Sequence, residues 1–478
     1  MLAPNWGWTA IVLLLLPATT TASRLLVPTD HPTIQQAVDH AEDGDTVLVA
    51  PGVYHENVRI RGKAVALVSH FVFDDDPEII AQTVIDGSSP SHPDSGSTVF
   101  FGGVNTPGAA LCGFTIRGGN GTKFNAEGTT LREGGGVLVR NQTLGTATVT
   151  LRNNVFRDNV VRRMGAAYAG GAGLSTWFTS VEVERNVFLE NQGEQYAGAV
   201  ICNRGPLLAR NNLFVANRQE YGNPFDGAAL FFYFGWTAEP FENNTFVDHQ
   251  VVDGGPSSIV EAYGATAIVV LRNNVFDESV PLSSTSAGGQ VTIAHSLIPS
   301  PGPGGGNVVG VPDFLDAQFV LQPTSPGVDA GSSDGQDIED PESPGSAMFP
   351  ARGTIARDMG VYGGPDMPPL GFPILDGAAS VGDEGAPGMR SLGLRIGGAQ
   401  PVLDRSWIEV ETVRPGFLEV QILDALGRQV RTLATGVRGP GVHRIEVAPR
   451  SVGLQAGVYF VRASGPGQSA RTKLVVLK

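Results

Sequence analysis

"LRNNVFRDN", Leu151–Asn159, decides the fold, because its first six letters return unchanged at Leu271–Phe276. Variants of it run through the middle of the chain: "RNVFLEN" from Arg185, "NNLFVAN" from Asn211, "NNTFVDH" from Asn243 and "NNVFDES" from Asn273. Counted from Asn153, the steps are 32, 26, 32 and 30 residues, and "GFTIRGG" from Gly113 reads as an earlier member. Catalytic groups need not recur in every repeat, so a phrase repeated this often is read as scaffold. Asparagine tolerates a left-handed backbone, and its amide can bond the equivalent amide one coil away. Phe156, Phe188, Phe214, Phe246 and Phe276, which follow the asparagines, are expected to point inward and stack as a core ladder.

A second line of rows precedes the asparagine phrases by about twenty residues: "GGGVLVRN" from Gly134, "GGAGLSTW" from Gly170, "AGAVICNR" from Ala197, "GAALFFYF" from Gly227 and "SSIVEAYG" from Ser257. Aligned without gaps, they read as short strands opened by small residues. Units of two or three short strands with Gly and Asn turns cannot bury a face alone but can stack on one another. The expectation is an all-β chain built on a parallel β-helix, right-handed because parallel crossovers overwhelmingly are. Alternation sends Val137, Val139, Val200, Cys202, Leu230, Phe232, Val260 and Ala262 inward. It leaves an outward column of Arg140, Thr176, Asn203, Tyr233 and Tyr263, with Glu261 one step away and Trp177 and Arg204 at the adjoining turns. Rings and arginines along one flank suit stacking on sugars and bonding their hydroxyls or carboxylates. The competing reading is that "FFYFGW", with Tyr233, Phe234 and Trp236, folds back under a long loop.

Glycine at 63 of 478 residues fits turn-rich β structure, and 17% charged with 41% hydrophobic residues fits an ordered chain. The formal charge is −15, but residues 391–478 hold 12 basic against 6 acidic residues, which leaves −21 on residues 1–390. So acidic a body has no footprint for phosphate backbones, and nucleic acid is not expected as a partner. Residues 1–23 read as a cleaved secretory signal, with an apolar run over Ala10–Leu16 and a small-residue exit at Ala22–Ser23, although no Lys or Arg precedes the run. Cys112 and Cys202 stand about three coils apart, roughly 14 Å at strand spacing, so two free buried thiols are expected rather than a disulfide.

In "TIQQAVDHAEDGDTVLVAPGVYHENVRI", Ile34, Ala37, Val38 and Ala41 fall at helical spacing after Thr33 or Asp30, which predicts a helix capping the open end of the coil stack. This run resembles the opening segment of right-handed parallel β-helix proteins of the pectin-lyase-like superfamily. The "NNVF" and "GG" rows are similar to their coil repeats, and "DFLDAQFVLQPTSPGVDAG" with "ARDMGVYGG" is similar to the closing segment of secreted members. The resemblance covers about residues 25–365, and the β-helix is bounded at 24–365. A Pro/Gly-rich linker is read over 366–389. Residues 390–478 show short alternating strands that predict a small immunoglobulin-like β-sandwich. Its "LEVQILDALGRQVRTL" and "AGVYFVRASG…TKLVVLK" resemble FlgD-like domains and the C-terminal sorting domains of type IX secretion. That resemblance implies an outer-membrane secretion machinery as a partner and a secreted or cell-surface destination, and a plain accessory sandwich is the alternative.

The active-site phrases of polygalacturonases and pectin methylesterases are not recognisable here. Asp74, Asp75 and Asp76 in "FDDDPE" are the candidate metal site, with calcium the possible ion, and Asp334, Asp337 and Asp340 form a second acidic run. Both lack the glycine-pinned spacing of a calcium loop, and the expected reading is solvated loops. His249 and His295 occupy turn-asparagine positions, where a structural hydrogen bond is expected. With Glu261 and Asp248 they are the other acid–base candidates, and no catalytic dyad is assigned. Two functions follow: a monomeric, non-catalytic protein binding a polysaccharide or cell-surface glycan through Arg140, Trp177, Arg204, Tyr233, Glu261 and Tyr263, or a lyase or hydrolase acting on an acidic polysaccharide.

Overall fold

The computed structural model describes residues 22–365, apart from 75, 104–106, 146, 222–226, 252–257, 303, 316–317 and 341–342. It also describes residues 393–476, apart from 398–405, 413–415, 424–428, 439–440, 450–453, 455–456 and 466–467. Residues 1–21 of the expected signal segment and the stretch 366–389 expected to be a linker lie outside the described residues.

Residues 24–309 coil into a parallel β-helix with three walls, of eleven, ten and eight strands. One coil shows the pattern: Thr148–Arg152 lies in the first wall, Val155–Arg157 in the second and Leu174–Trp177 in the third, and Ser180–Glu184 returns to the first. Each strand pairs in parallel with its counterpart in the next coil, as Phe156 does with Phe188 and Val137 with Leu174. All eight inward residues expected of the third wall belong to one continuous core. The phenylalanine ladder is there as well. Ring centroids of Phe156, Phe188, Phe214, Phe246 and Phe276 follow one another at 4.6, 4.9, 4.7 and 4.9 Å, with planes within 7°.

The paired asparagines divide the labour at the corner between the first and second walls. The outer residue takes the left-handed turn, with φ of 55° at Asn153, 54° at Arg185, 52° at Asn211, 53° at Asn243 and 57° at Asn273. The inner residue builds the ladder. Asn154 Nδ2 donates to Asn186 Oδ1 at 3.0 Å, Asn186 to Asn212 at 3.2 Å, Asn212 to Asn244 at 2.9 Å and Asn244 to Asn274 at 3.0 Å. A second ladder, Asn159 to Asn191 to Asn217, continues into His249, whose Nδ1 lies 2.6 Å from Glu278. His249 therefore closes a structural ladder, and its side chain and that of Glu278 are fully buried. His295 takes the left-handed position itself, at φ 46°.

One row of the third wall departs from the gapless alignment. Leu174, not Gly173, pairs with Val137, because the left-handed glycine that sets the phase is Gly171, the counterpart of Gly134. Thr176 consequently points inward and is buried, and Trp177 takes its place in the outward column beside Arg140.

Helix α1, Ile34–His40, closes the N-terminal end. Thr33 caps it, Glu56 accepts from the Ile34 and Gln35 amides at 2.9 Å each, and Lys63 Nζ donates to the Val38 and Ala41 carbonyls at its far end. Asp76 caps a second helix, α2, Pro77–Gln82. Along the first wall one column alternates in charge: Arg152, Glu184, Arg210, Glu242 and Arg272 stand opposite one another in successive coils. A slip by one coil would set like charges face to face, so the column resists mispairing. Glu184→Lys is expected to cost about 1 kcal/mol in urea unfolding, an effect that shrinks with salt. A salt-independent loss would show that the damage is steric.

The closing segment, 311–364, lies along the second wall and is held by the outer asparagines. Asn211 Nδ2 donates to the Val361 and Gly363 carbonyls at 2.9 Å each, Asn243 Nδ2 to that of Asp358 at 2.9 Å, and Asn273 exchanges bonds with Ser332. Here the expectation of a solvated acidic loop holds at Asp334, which is exposed, and fails at Asp337, which is buried and accepts from the Asp358 and Gly364 amides. Asp334 pairs with Arg272. Burial, with Asp337 and Asp329 nearby, pushes the Asp358 carboxyl up to about 8, and burial pushes Asp337 to about 6. A carboxyl that holds its proton more tightly when folded adds stability at low pH, and that stability is lost as pH rises through its folded value. Stability is therefore expected to fall between about pH 4 and 8. Urea midpoints across that range test this, and Asp358→Asn is expected to flatten the slope; an unchanged slope would contradict the assignment.

The C-terminal region is a two-sheet antiparallel sandwich. Gly393–Gly397, Ser406–Thr412 and Gly441–Val447 form one sheet. Gly416–Leu423, Gln429–Arg438, Gly457–Gly465 and Gln468–Val476 form the other. Ile408, Val410, Val420, Ile422, Val461 and Leu474 fill the space between them.

Candidate functional site

Two walls are committed to structure. The second lies beneath Phe71, Ile80, Val320, Val361 and Tyr362, and the first carries the charge column. The third wall presents two outward columns. One runs Leu138, Ser175, Ile201, Phe231, Glu261, and the other Arg140, Trp177, Asn203, Tyr233, Tyr263. The six glycan-site candidates thus fall on one flank, although not all are open to solvent.

An antiparallel hairpin, Gly121–Ala126 and Thr129–Glu133, covers the earlier coils of that flank. Its tip is Glu127-Gly128, at φ 51° and 79°, a two-residue turn with positive φ at both positions as a hairpin's twist favours. Phe124 meets Trp177 edge-on at 5.8 Å, and Trp177 is 3% exposed, so it packs under the hairpin and faces no ligand. Arg140 lies on the Phe124 ring at 4.7 Å. Glu133, buried at the hairpin's end, accepts at one oxygen from Ser175 Oγ at 2.6 Å, Trp177 Nε1 at 2.7 Å and Asn203 Nδ2 at 3.2 Å. Burial raises its carboxyl above the usual range and these donors oppose the rise.

Beyond the hairpin the rings continue. Tyr168 meets Tyr196 at 5.4 Å, Tyr196 stacks on Phe231 at 4.9 Å, and Tyr233 stacks on Tyr263 at 5.4 Å with an 18° tilt. Phe234, left-handed at φ 52°, stands edge-on to Tyr233. The Arg204 guanidinium sits 4.6 Å from the Phe234 ring and pairs with Glu127 of the hairpin tip at 2.8 Å. Tyr233 and Tyr263 are half-buried. Glu261 is buried and accepts from Ser284 and Ser286, and burial raises its carboxyl too.

Glu133 binds Ser175 and Asn203, which lie three strands and two strands from Glu261, a separation of about 10 to 14 Å along the stack. Glycoside hydrolysis by two carboxyls needs them about 5–9.5 Å apart. Ile201 and Phe231, both buried, fill the interval. Asp76 is used as a helix cap, and Asp75 and the Asp74 side chain lie outside the described residues. Among the described residues no three His, Cys, Asp or Glu side chains converge as a metal site would require. Cys112 and Cys202 are not joined in a disulfide; Cys202 is buried, its thiol pushed up to about 12 by burial, while Cys112 is half-buried rather than buried.

The hairpin, Glu127, Glu133, Tyr196 and Phe231 were not singled out from sequence. A signal was present: Gly113 to Asn153 spans 40 residues where later steps span 26 to 32, and the surplus is the hairpin. In comparisons with known proteins, no protein-family model matches the chain, and no curated protein matches it.

Proposed function

We propose that this is an exported β-helix protein that binds an extended glycan on its third wall, over Tyr233 and Tyr263. The observation that carries the reading is the stacked pair of half-open rings in successive coils, with Arg204 held at its edge. Tyr233 packs against Tyr263 and lies 5.6 Å from the Arg204 guanidinium, so the pair meets a sugar through the half-buried ring edges, and the guanidinium supplies hydroxyl donors. Trp177 and Arg140 act through packing beneath the hairpin. Glu133 and Glu261 are each buried and each held by its own set of donors, which supports binding over the lyase or hydrolase reading. The resemblance to pectin-lyase-like β-helices supports a carbohydrate ligand, and the resemblance of residues 390–478 to sorting domains supports export through an outer-membrane machinery. Incubating the protein with a panel of plant, algal and bacterial polysaccharides, with and without calcium, tests both sides. Retention without release of ultraviolet-absorbing unsaturated sugars or reducing ends is the expected result; release of either would establish the enzyme instead.

A further inference from the structure

The arginines that border the ring line are each engaged by a neighbour. Arg204 pairs with Glu127, Arg163 Nε with Glu194 at 2.6 Å and Arg162 Nη2 with Glu220 at 2.7 Å, while Arg140 lies on Phe124 and donates to the Asn125 carbonyl. The carboxylates offset three of these four cations, and Glu261 stands one coil beyond Phe231. The flank therefore offers rings and hydrogen-bonding groups without the net positive field that capture of a polyanion requires. The body behind it carries −21 over residues 1–390.

Resting on the glycan-binding reading, we infer that this site takes uncharged sugars and rejects uronic-acid polymers, and that Glu127 is the residue that sets this selectivity. An incoming sugar carboxylate would compete with Glu127 for Arg204 and would face Glu127 once displaced. A neutral sugar keeps the pair intact and lies against the half-buried edges of Tyr233 and Tyr263 beside it. Rejection built from a like charge at the rim is a recognised route to specificity.

The test uses polymer pairs of equal backbone: a uronic-acid polymer against its full methyl ester, and carboxymethyl against hydroxyethyl cellulose. Each is immobilised and run at physiological salt with the whole chain and with Glu127→Gln, an exposed hairpin-tip change. The wild type is expected to bind the neutral member of a pair and not the acidic one. Glu127→Gln is expected to gain affinity for the acidic member on the order of tenfold, the value of one charge-assisted hydrogen bond, with the neutral member unchanged. Tighter wild-type binding of the acidic member, or no gain in Glu127→Gln, overturns the selectivity while leaving a glycan site in place. Failure to bind any polymer in either pair or in the wider panel overturns the glycan reading and this inference with it.

Discussion

Asn212→Ala is expected to lower the unfolding free energy of the β-helix by about 3 kcal/mol, measured by urea titration. The side chain is fully buried and sits mid-ladder. Its Oδ1 accepts from the Asn186 amide at 2.9 Å and its Nδ2 donates to the Val183 carbonyl at 2.7 Å and to Asn244. Truncation leaves the Asn186 amide without its acceptor inside the corner, removes a donor from Val183 and opens a void. An unsatisfied buried donor alone costs about 1–3 kcal/mol. Asn211→Ala, one residue earlier, removes bonds to the closing segment and leaves the inner ladder intact. It should detach that segment locally without a comparable global loss. Equal losses for the two variants would contradict the division of labour at the corner.

Tyr233→Ala combined with Tyr263→Ala is expected to weaken binding of the retained neutral glycan about a hundredfold, equivalent to roughly 2.7 kcal/mol over the contacts of two rings. Both residues end strands at the rim of the third wall, outside the main core, and pack within a satellite cluster with Ile201 and Phe231. The urea midpoint of the double variant should therefore move far less than that of Asn212→Ala. A hundredfold loss accompanied by an equal collapse in stability would leave the rings as scaffold. A loss of affinity with near-wild-type unfolding places them at the ligand.

How much of this was legible in the sequence depended on recurrence. The phenylalanines and the inward residues of the third wall recur in step, so their stacking followed from spacing alone. Across the five pairs the outer position is once arginine, at Arg185, while the inner is always asparagine, and that single exchange is all the letters offer to separate a left-handed turn from a ladder rung. Only the structure shows that the outer one also grips the closing segment. The alignment slipped by one at Gly170 because the phase belongs to the left-handed glycine, Gly171, and not to the first small residue of the run. Trp177 reads as surface in the letters because the hairpin above it occurs once and shows among the repeats only as one long step, the 40 residues from Gly113 to Asn153. Asp337 was read as solvated for a similar reason: a carboxylate in an acidic loop is buried only when backbone amides from distant residues converge on it, here those of Asp358 and Gly364.

Oxidative footprinting of aromatic side chains, with and without a retained neutral glycan, tests the binding surface most directly. Tyr233 and Tyr263 are expected to be protected on binding. Trp407, an exposed ring on the C-terminal sandwich beside Arg444, is expected to oxidise at the same rate in both states. Protection of Trp407, or of other residues, with none at Tyr233 and Tyr263, would contradict the placement of the site on the third wall.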